Sequence, residues 1–303
     1  MRIEEIELSQ AHLVAEGYAR IVADVPCSFQ VDANQFADGV VWDGADNGLH
    51  RNLSDQRLLL CRNPTSADGF AHVSIENRDG QRCGVIRFLG FVPGQRRAGQ
   101  RLLEEAEALL KAAHVEVIKA FAMDYGYPFL LNGTGTLSDR LPHVIALLGT
   151  NGYSVPCHPM YPLCQEAFFD YPEIDLAHPH PPDDGLVVRR SLEESLSGLP
   201  QAVFRLEFQG TEVGESETWS VGRWTKAYGA DQTFLISIEI EEKWQGRGWG
   251  RFLLQEAMCQ MVEFGYTRAS LGTNAANYQA MSLYANLGFL FRGTGVTMTK
   301  VLG

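Results

Sequence analysis

A chain of 303 residues with 45% apolar composition is long enough to build two cores and too apolar to remain unfolded. No run approaches the ~20 continuous apolar residues of a membrane-spanning helix, and the start MRIEEIELSQ lacks the basic-then-apolar order of a secretion signal, so a cytoplasmic protein with no membrane partner is expected. A net charge of −12 argues against a nucleic-acid partner, which calls for a basic face.

In chain order, the first legible strand ends at Phe91-Val92-Pro93 and runs into a helix over GQRRAGQRLLEEAE. Further along stands the segment LLGTNGY at Leu147–Tyr153. Cys157, His158 and Cys164 offer metal-ligand chemistry, but the interleaved Pro156, Pro159, Tyr161 and Pro162 read as a rigid loop, and no metal is expected. The six cysteines form no CxxC pair and no disulfide framework. Residues 177–185, AHPHPPDDG, combine prolines, acids and glycine with little apolar content, as an exposed linker would. The expected division is therefore a first domain over 1–170, a linker over 171–185 and a second domain over 186–303.

Beyond the linker, strands are expected at Leu186–Arg189, Ala202–Phe208 and Glu217–Trp224, with turns at Gln209-Gly210 and near Gly229-Ala230. Phe234–Glu241 alternates Ile236, Ile238 and Ile240 with Ser237, Glu239 and Glu241, the period of a half-covered strand. A glycine-rich turn follows. Then Leu253, Leu254, Ala257, Met258, Met261 and Val262 recur at helical spacing, with Gly265 placed to cap the end. A strand over Arg268–Thr273 leads to Asn274, which can cap a second helix facing inward through Ala280, Leu283, Tyr284 and Leu287 and closed by Gly288; Phe289–Val301 supplies the last strands. Strands alternating with helices in this order imply a mixed sheet covered by helices.

The two halves repeat one theme. Arg96, Gly99, Leu102, Leu103, Glu105 and Ala106 match Arg247, Gly250, Leu253, Leu254, Glu256 and Ala257, and LLGTNGY matches LYANLGF at Leu283–Phe289. This is duplication at domain scale rather than a short solenoid repeat. The acidity belongs to one copy: residues 186–303 are near balance, with 11 basic and 12 acidic side chains, against 14 and 25 in residues 1–185. Solubility explains that excess, as does a field that concentrates a cationic amine.

The turn Gln245-Gly246-Arg247-Gly248-Trp249-Gly250, lying between a strand and an amphipathic helix, is a device for holding phosphate. Glycine exposes backbone N–H groups, the helix N-terminus adds partial positive charge, and Arg247 and Arg251 add full charges. Glycine turns also occur for geometry alone. Neither the Lys-Ser/Thr of a nucleotide P-loop nor a GxGxxG dinucleotide fingerprint is present.

Downstream lies Asn277-Tyr-Gln-Ala280-Met-Ser-Leu283-Tyr284-Ala-Asn-Leu287-Gly288-Phe289. Taken with Gln245, Gly248 and Gly250, this segment resembles the GNAT superfamily of acyl-CoA N-acyltransferases, whose paired hallmark is Gln/Arg-x-x-Gly-x-Gly/Ala followed by Asn-x-x-Ala-x-x-Leu-Tyr-x-x-Leu-Gly-Phe. The resemblance is clear over roughly residues 233–292, and the tandem layout is similar to that of the mycothiol synthases, without a residue pattern that points to their substrate. It implies an α/β (α+β) fold of two tandem GNAT-like domains, each a mixed, mostly antiparallel sheet flanked by helices.

The same resemblance implies roles. Backbone N–H groups of Gln245, Gly246, Arg247, Gly248, Trp249, Gly250 and Arg251 would hold the pyrophosphate of acetyl-CoA. The strand Ile238-Glu239-Ile240 would pair with the pantetheine arm and aim an N–H at the thioester carbonyl, where developing negative charge is stabilised. Asn277 would bind the cofactor arm, unless it is a solvent-facing helix residue. Tyr284 would protonate the departing thiolate; read alone, it is a core aromatic on the inner face of a helix.

All eight histidines precede residue 186, so the second half has no imidazole to deprotonate the attacking amine. Glu239 is the first candidate base, since partial burial beside the thioester would raise its pKa, and Glu241 is the second; an exposed strand glutamate fits the sequence equally well. Cys259 adjoins the apolar stripe of its helix and reads as a structural thiol, which leaves direct attack of a small-molecule primary amine on the thioester in a ternary complex. In the first half, two residues are missing from the turn, and Gly94, Arg97, Leu141 and Leu148 stand where Gln245, Gly248, Asn277 and Tyr284 stand in the second. That copy is expected to be degenerate, leaving one cofactor site per chain. The rival reading is a non-catalytic regulatory module that senses acyl-CoA.

Overall fold

In the computed structural model, residues 2–41, 52–62, 67–78, 80–156, 165–194, 200–220 and 233–302 are described. The Cys157–Cys164 segment, the expected turn near Gly229-Ala230 and the end of the expected strand at Glu217–Trp224 lie outside them. In chain order the elements are β1 (Arg2–Ile6), α1 (Ala15–Ile21), α2 (Ala33–Val41), β2 (Leu53–Arg62), β3 (Ala67–Arg78), β4 (Gln81–Phe91), α3 (Arg96–Ala112), β5 (Val117–Ala120), β6 (Leu137–Ser138) and α4 (Pro142–Thr150). There follow β7 (Gln165–Tyr171), β8 (Leu186–Glu194), β9 (Pro200–Phe208), β10 (Thr211–Ser220), β11 (Thr233–Ile240), α5 (Trp249–Glu263), β12 (Arg268–Asn274), α6 (Tyr278–Leu287), β13 (Leu290–Val296) and β14 (Met298–Val301).

Packing divides the chain into a first unit of residues 1–166 with 293–303 and a second unit of residues 167–292. This differs from the division expected at 170 and 186. The physical reason is strand pairing: the chain's last strand, β14, completes the first unit's sheet beside β5, with Met298 opposite Ala120 and Val301 opposite Val117. Most of β7, which precedes the expected linker, lies in the second unit's sheet between β12 and β13.

The first unit's sheet runs β1-β2-β3-β4-β5-β14, antiparallel except for the parallel pair β4 and β5. The β4–β5 pairing covers only Gly84–Ile118, Val85–Lys119 and Ile86–Ala120 before the strands part. Residues 121–129 pack against the sheet where the strands part. Phe121 N–H bonds Ile86 O, Arg87 donates to Tyr125 O and Val40 O, and Tyr125 donates to Glu76. Phe121, Tyr125, Tyr127 and Phe129 are all buried, packed with Tyr18, Phe36 and Phe88 at centroid distances of 5.0 to 6.1 Å.

In the second unit, β13-β7-β12-β11-β10-β9-β8 form the sheet, with β11 and β12 parallel. The turn at Gln209-Gly210 has φ of 51° and 80° at its two residues, the geometry of a two-residue hairpin, so the third strand begins at Thr211 rather than Glu217. One face of this sheet packs on α5 through Phe204, Leu206, Phe234, Ile236, Leu253, Leu254, Ala257, Met258 and Met261, while Val262 stays exposed. Gly265 ends α5 as expected: Tyr266 N–H reaches Met261 O and Gly265 N–H reaches Val262 O, the Schellman pair. Only residues 195–199 separate β8 from β9.

The segment 171–185 is exposed along most of its length, but it is not free. Ile174 N–H bonds Thr267 O, Gln255 donates to Ala177 O, and His178 sits between Glu256 and Glu263, so the chain is strapped along α5.

Candidate active site

The parallel pairing of β11 with β12 ends after Thr233–Arg268, Phe234–Ala269 and Leu235–Ser270. Beyond Leu235, β11 keeps β10 on one side, with Ser216 opposite Ile238 and Glu215 opposite Glu239. Its other edge has no strand partner among the described residues. Alternate N–H and C=O groups of Ile236–Ile240 point from that edge into a cleft of about 1120 Å³ lined by Ser237–Ile240, the glycine turn, Gly272, Thr273 and α6.

A short helical turn over Glu242–Trp244 ends β11, and Gln245 reverses the chain by donating its side-chain amide to Ile240 O at 2.8 Å. Gly246 and Gly248 have φ of 78° and 80°, and a Cβ at either would meet nothing within 4 Å. Glycine is therefore required by the backbone rotation and not by crowding. Gly248 is the N-cap of α5, whose first backbone bond runs from Phe252 N–H to Gly248 O. The amides of Trp249, Gly250 and Arg251 lie ahead of it without helical acceptors, at the positive end of the helix dipole. Arg251 lines the same cleft.

Of the residues expected at the cofactor, Ile238, Glu239, Ile240, Gln245, Gly246, Gly248, Trp249, Gly250, Arg251 and Asn277 all line this cleft. Arg247 does not. Its guanidinium lies over the indoles of Trp244 and Trp249, at 4.9 and 5.3 Å from the ring centroids.

Asn277, rather than Asn274, is the N-cap of α6: its Oδ1 accepts from Ala280 N–H at 3.2 Å. Asn274 makes the turn before it, accepting from Ala276 N–H. The cap moves because β12 continues through Asn274 and the helix cannot begin until that turn is complete. Tyr284 is 5% exposed, packed edge-on against Phe169 and tilted against Phe289, and lines the cleft. Burial pushes its phenol up to about 12, so it stays protonated across the physiological range.

Glu239 shares the cleft but is exposed, so the partial burial expected of it is absent; β11 presents Ile238 and Ile240 to the core and the glutamate to the opposite face. Glu241 is exposed as well and paired with Lys243 at 2.7 Å. Burial and the nearby Glu256 and Glu263 push the Cys259 thiol up to about 11, which keeps it a poor nucleophile. Sequence reasoning missed Thr273, Tyr278, Ser282 and Asn286, rim residues of α6 and β12 that share the cleft. It also missed Asp183, which was absorbed into the linker but accepts a hydrogen bond from the Trp249 indole. No local pattern distinguishes such residues from solvated surface.

A family model, described as the acetyltransferase (GNAT) family, matches residues 167–289. No curated protein matches the chain. Among solved structures, it is similar to a tandem GNAT protein from the clavulanic acid biosynthesis pathway, with 13% identity, coverage of 100% of this chain and 99% of that one, and a TM-score of 0.68. A GCN5-related N-acetyltransferase from Sphaerobacter thermophilus matches with 16% identity, coverage of 99% and 95%, and a TM-score of 0.58. The GCN5-related glucosamine N-acetyltransferase region of a fungal multi-domain β-N-acetylglucosaminidase matches with 11% identity and a TM-score of 0.63 over 98% of this chain, which spans 38% of that protein's length. At these identities the likeness carries the fold. Residues 167–289 match the GNAT acetyltransferase family model, and the chain as a whole shares the fold of tandem GNAT proteins.

Proposed function

We propose that this protein is an N-acetyltransferase that moves an acetyl group from acetyl-CoA to a primary amine of a small molecule, by direct attack within a ternary complex. The observation that carries this reading is one cleft holding three complementary parts: the open edge of β11, the helix-end amides behind Gly246 and Gly248, and the buried hydroxyl-bearing ring of Tyr284. Acetyl-CoA, when bound, supplies the activated acyl group as a thioester. The amides of residues 245–251 hold its pyrophosphate, with Arg251 adding charge. The edge of Ile238–Ile240 takes the pantetheine amides as an added strand and sets an N–H at the thioester oxygen.

Tyr284 then gives its proton to the sulfur as the C–S bond breaks. Its high pKa suits a donor that has to remain protonated until thiolate forms. The base is Glu239, acting directly or through water, with Glu241 as the second choice. The Arg247 side chain contributes less to the phosphates than its sequence position implies, because it rests on the indoles.

Release of free thiol from acetyl-CoA, followed with a thiol-reactive chromophore across a panel of small primary amines, tests the proposal. Amine-dependent release that is lost in Tyr284→Phe supports it. Tight binding of acetyl-CoA with no release for any amine would support the regulatory module instead.

A further inference from the structure

The phosphate turn is clamped from behind by a contact that lies outside the GNAT motif itself. Trp249, the first residue of α5, is 1% exposed, and its indole N–H donates to Asp183 Oδ2 at 2.5 Å. Its ring stacks on that of Trp244 at 5.1 Å and 23°, and Phe208 packs against both at 5.6 and 4.9 Å. Trp244 and Trp249 therefore fix both flanks of the four residues Gln245–Gly248. Between these anchors stand two left-handed glycines whose missing side chains add no packing contact, so the placing of the two indoles bears on the path of the turn.

An aromatic stack fixes the separation of two rings well but their sliding poorly, because dispersion has little direction. A charge-assisted hydrogen bond supplies the missing direction. Trp244 Nε1 has no hydrogen-bond partner among the described residues, so the polar anchor of this stack is the Trp249–Asp183 bond. Asp183 is itself held in place, since Leu186 N–H bonds its carbonyl where β8 begins and the preceding strap is tied to α5 at Leu176, Ala177 and His178.

We infer that Asp183 is a positioning residue for the pyrophosphate of coenzyme A: by orienting the Trp249 indole, and through it the Trp244 stack, it keeps the amides of residues 245–251 aimed at the anion. This rests on the cofactor reading above. Removing the carboxylate leaves the site present but loosened, and misplacement of this kind costs on the order of tenfold or more in ligand affinity.

The test compares two probes on the full chain by calorimetry: coenzyme A, and pantetheine, which lacks the pyrophosphate. Asp183→Ala is expected to weaken coenzyme A about tenfold and pantetheine less than twofold. Asp183→Asn keeps an acceptor oxygen for the indole and is expected to restore most of the affinity. Trp249→Phe, which keeps a ring and deletes the N–H, should reproduce the alanine result if that variant is too unstable to measure. Equal weakening of both probes, or unchanged coenzyme A affinity in Asp183→Ala and Trp249→Phe, would overturn the inference while leaving the cofactor reading intact. Failure of the unaltered protein to bind coenzyme A would overturn both.

Discussion

Each unit contains a parallel strand pair that separates after three residue pairs, β4 from β5 in the first and β11 from β12 in the second, and the two treat the resulting gap in opposite ways. In the second unit only residues 275–277 connect β12 to α6, and the gap stays open as the cleft. In the first, residues 121–141 intervene between β5 and α4, and the buried aromatics of 121–129 pack where the strands part. The helix after the strand differs too. α3 starts at Arg96 with Gln95 as N-cap, so Arg97, the counterpart of Gly248, is already helical. In the second unit the left-handed glycine, Gly248, is itself the N-cap; in the first the left-handed glycine is Gly94, before the N-cap, and the positions aligned with Arg247 and Gly248 are wound into an extra half-turn. His143 completes the closure with a contact of 2.9 Å between its Nε2 and Phe91 O. The same scaffold is an open cleft or a filled core according to the length of one connection and the position of the left-handed glycine before the helix.

The sharpest test of that comparison is Tyr284 against its counterpart Leu148. Tyr284→Phe is expected to lower kcat by ~10²–10⁴-fold, the usual contribution of a general acid, with the acetyl-CoA KM nearly unchanged. Leu148→Met, a volume-conserving change at a fully buried site, should leave turnover as it was. Comparable losses in both would mean the first unit takes part in the chemistry. Next in size, Leu148→Ala should lower stability by about 2–5 kcal/mol in denaturant unfolding, as deletion from a packed core does.

Gly248→Ala comes third. It forces a side chain into the left-handed region at a cost of about 1–2 kcal/mol and pushes a methyl toward the anion, so coenzyme A affinity should fall measurably. Titration should give one coenzyme A per chain in the unaltered protein. A second equivalent surviving Gly248→Ala would break the comparison outright, because it would place a working turn in the first unit.

The smallest expected effect is in the pH profile. The Tyr284 phenol is raised above its ordinary value of 10 to about 12 by burial, so the folded state holds the proton more tightly. Its contribution to stability is complete below pH 10 and is lost as pH rises through about 12. The rate should therefore show no descending limb at pH 10 from this group, and its ascending limb should follow the pKa of whichever amine is acetylated. A loss of activity centred near 10, with the fold intact, would mean that the phenol is not shielded as its packing implies.

Much of the second unit was legible in its residues because its features are local. Alternation of isoleucines marks β11, the spacing of leucines and methionines marks α5, and Gly265 and Gly288 stop helices where a left-handed residue is needed. Asn277, Tyr284 and the turn residues other than Arg247 line one cleft, and each of the two motifs lies within a single strand-turn-helix unit. The cap at Asn274 failed by three residues, since propensity does not say where a strand stops. Glu239 was expected to be partly buried and is exposed, since burial depends on what covers the far face of the sheet. Arg247 was expected at the phosphate and lies on Trp244 and Trp249, a contact that charge and spacing do not encode.

By itself, the sequence determined the tandem repeat, the glycine turn with its helix, and the tyrosine one turn before the Gly288 stop, all written in patterns shorter than about twenty residues. Tertiary structure alone decided that β14 completes the first sheet, that β7 enters the second, and that Asp183 reaches the indole at the start of α5. Edge strands carry the same alternation whichever sheet they join, and an acid in a proline-rich segment looks solvated until its partner is placed. Those choices are settled by which surfaces remain unpaired once the local elements have formed.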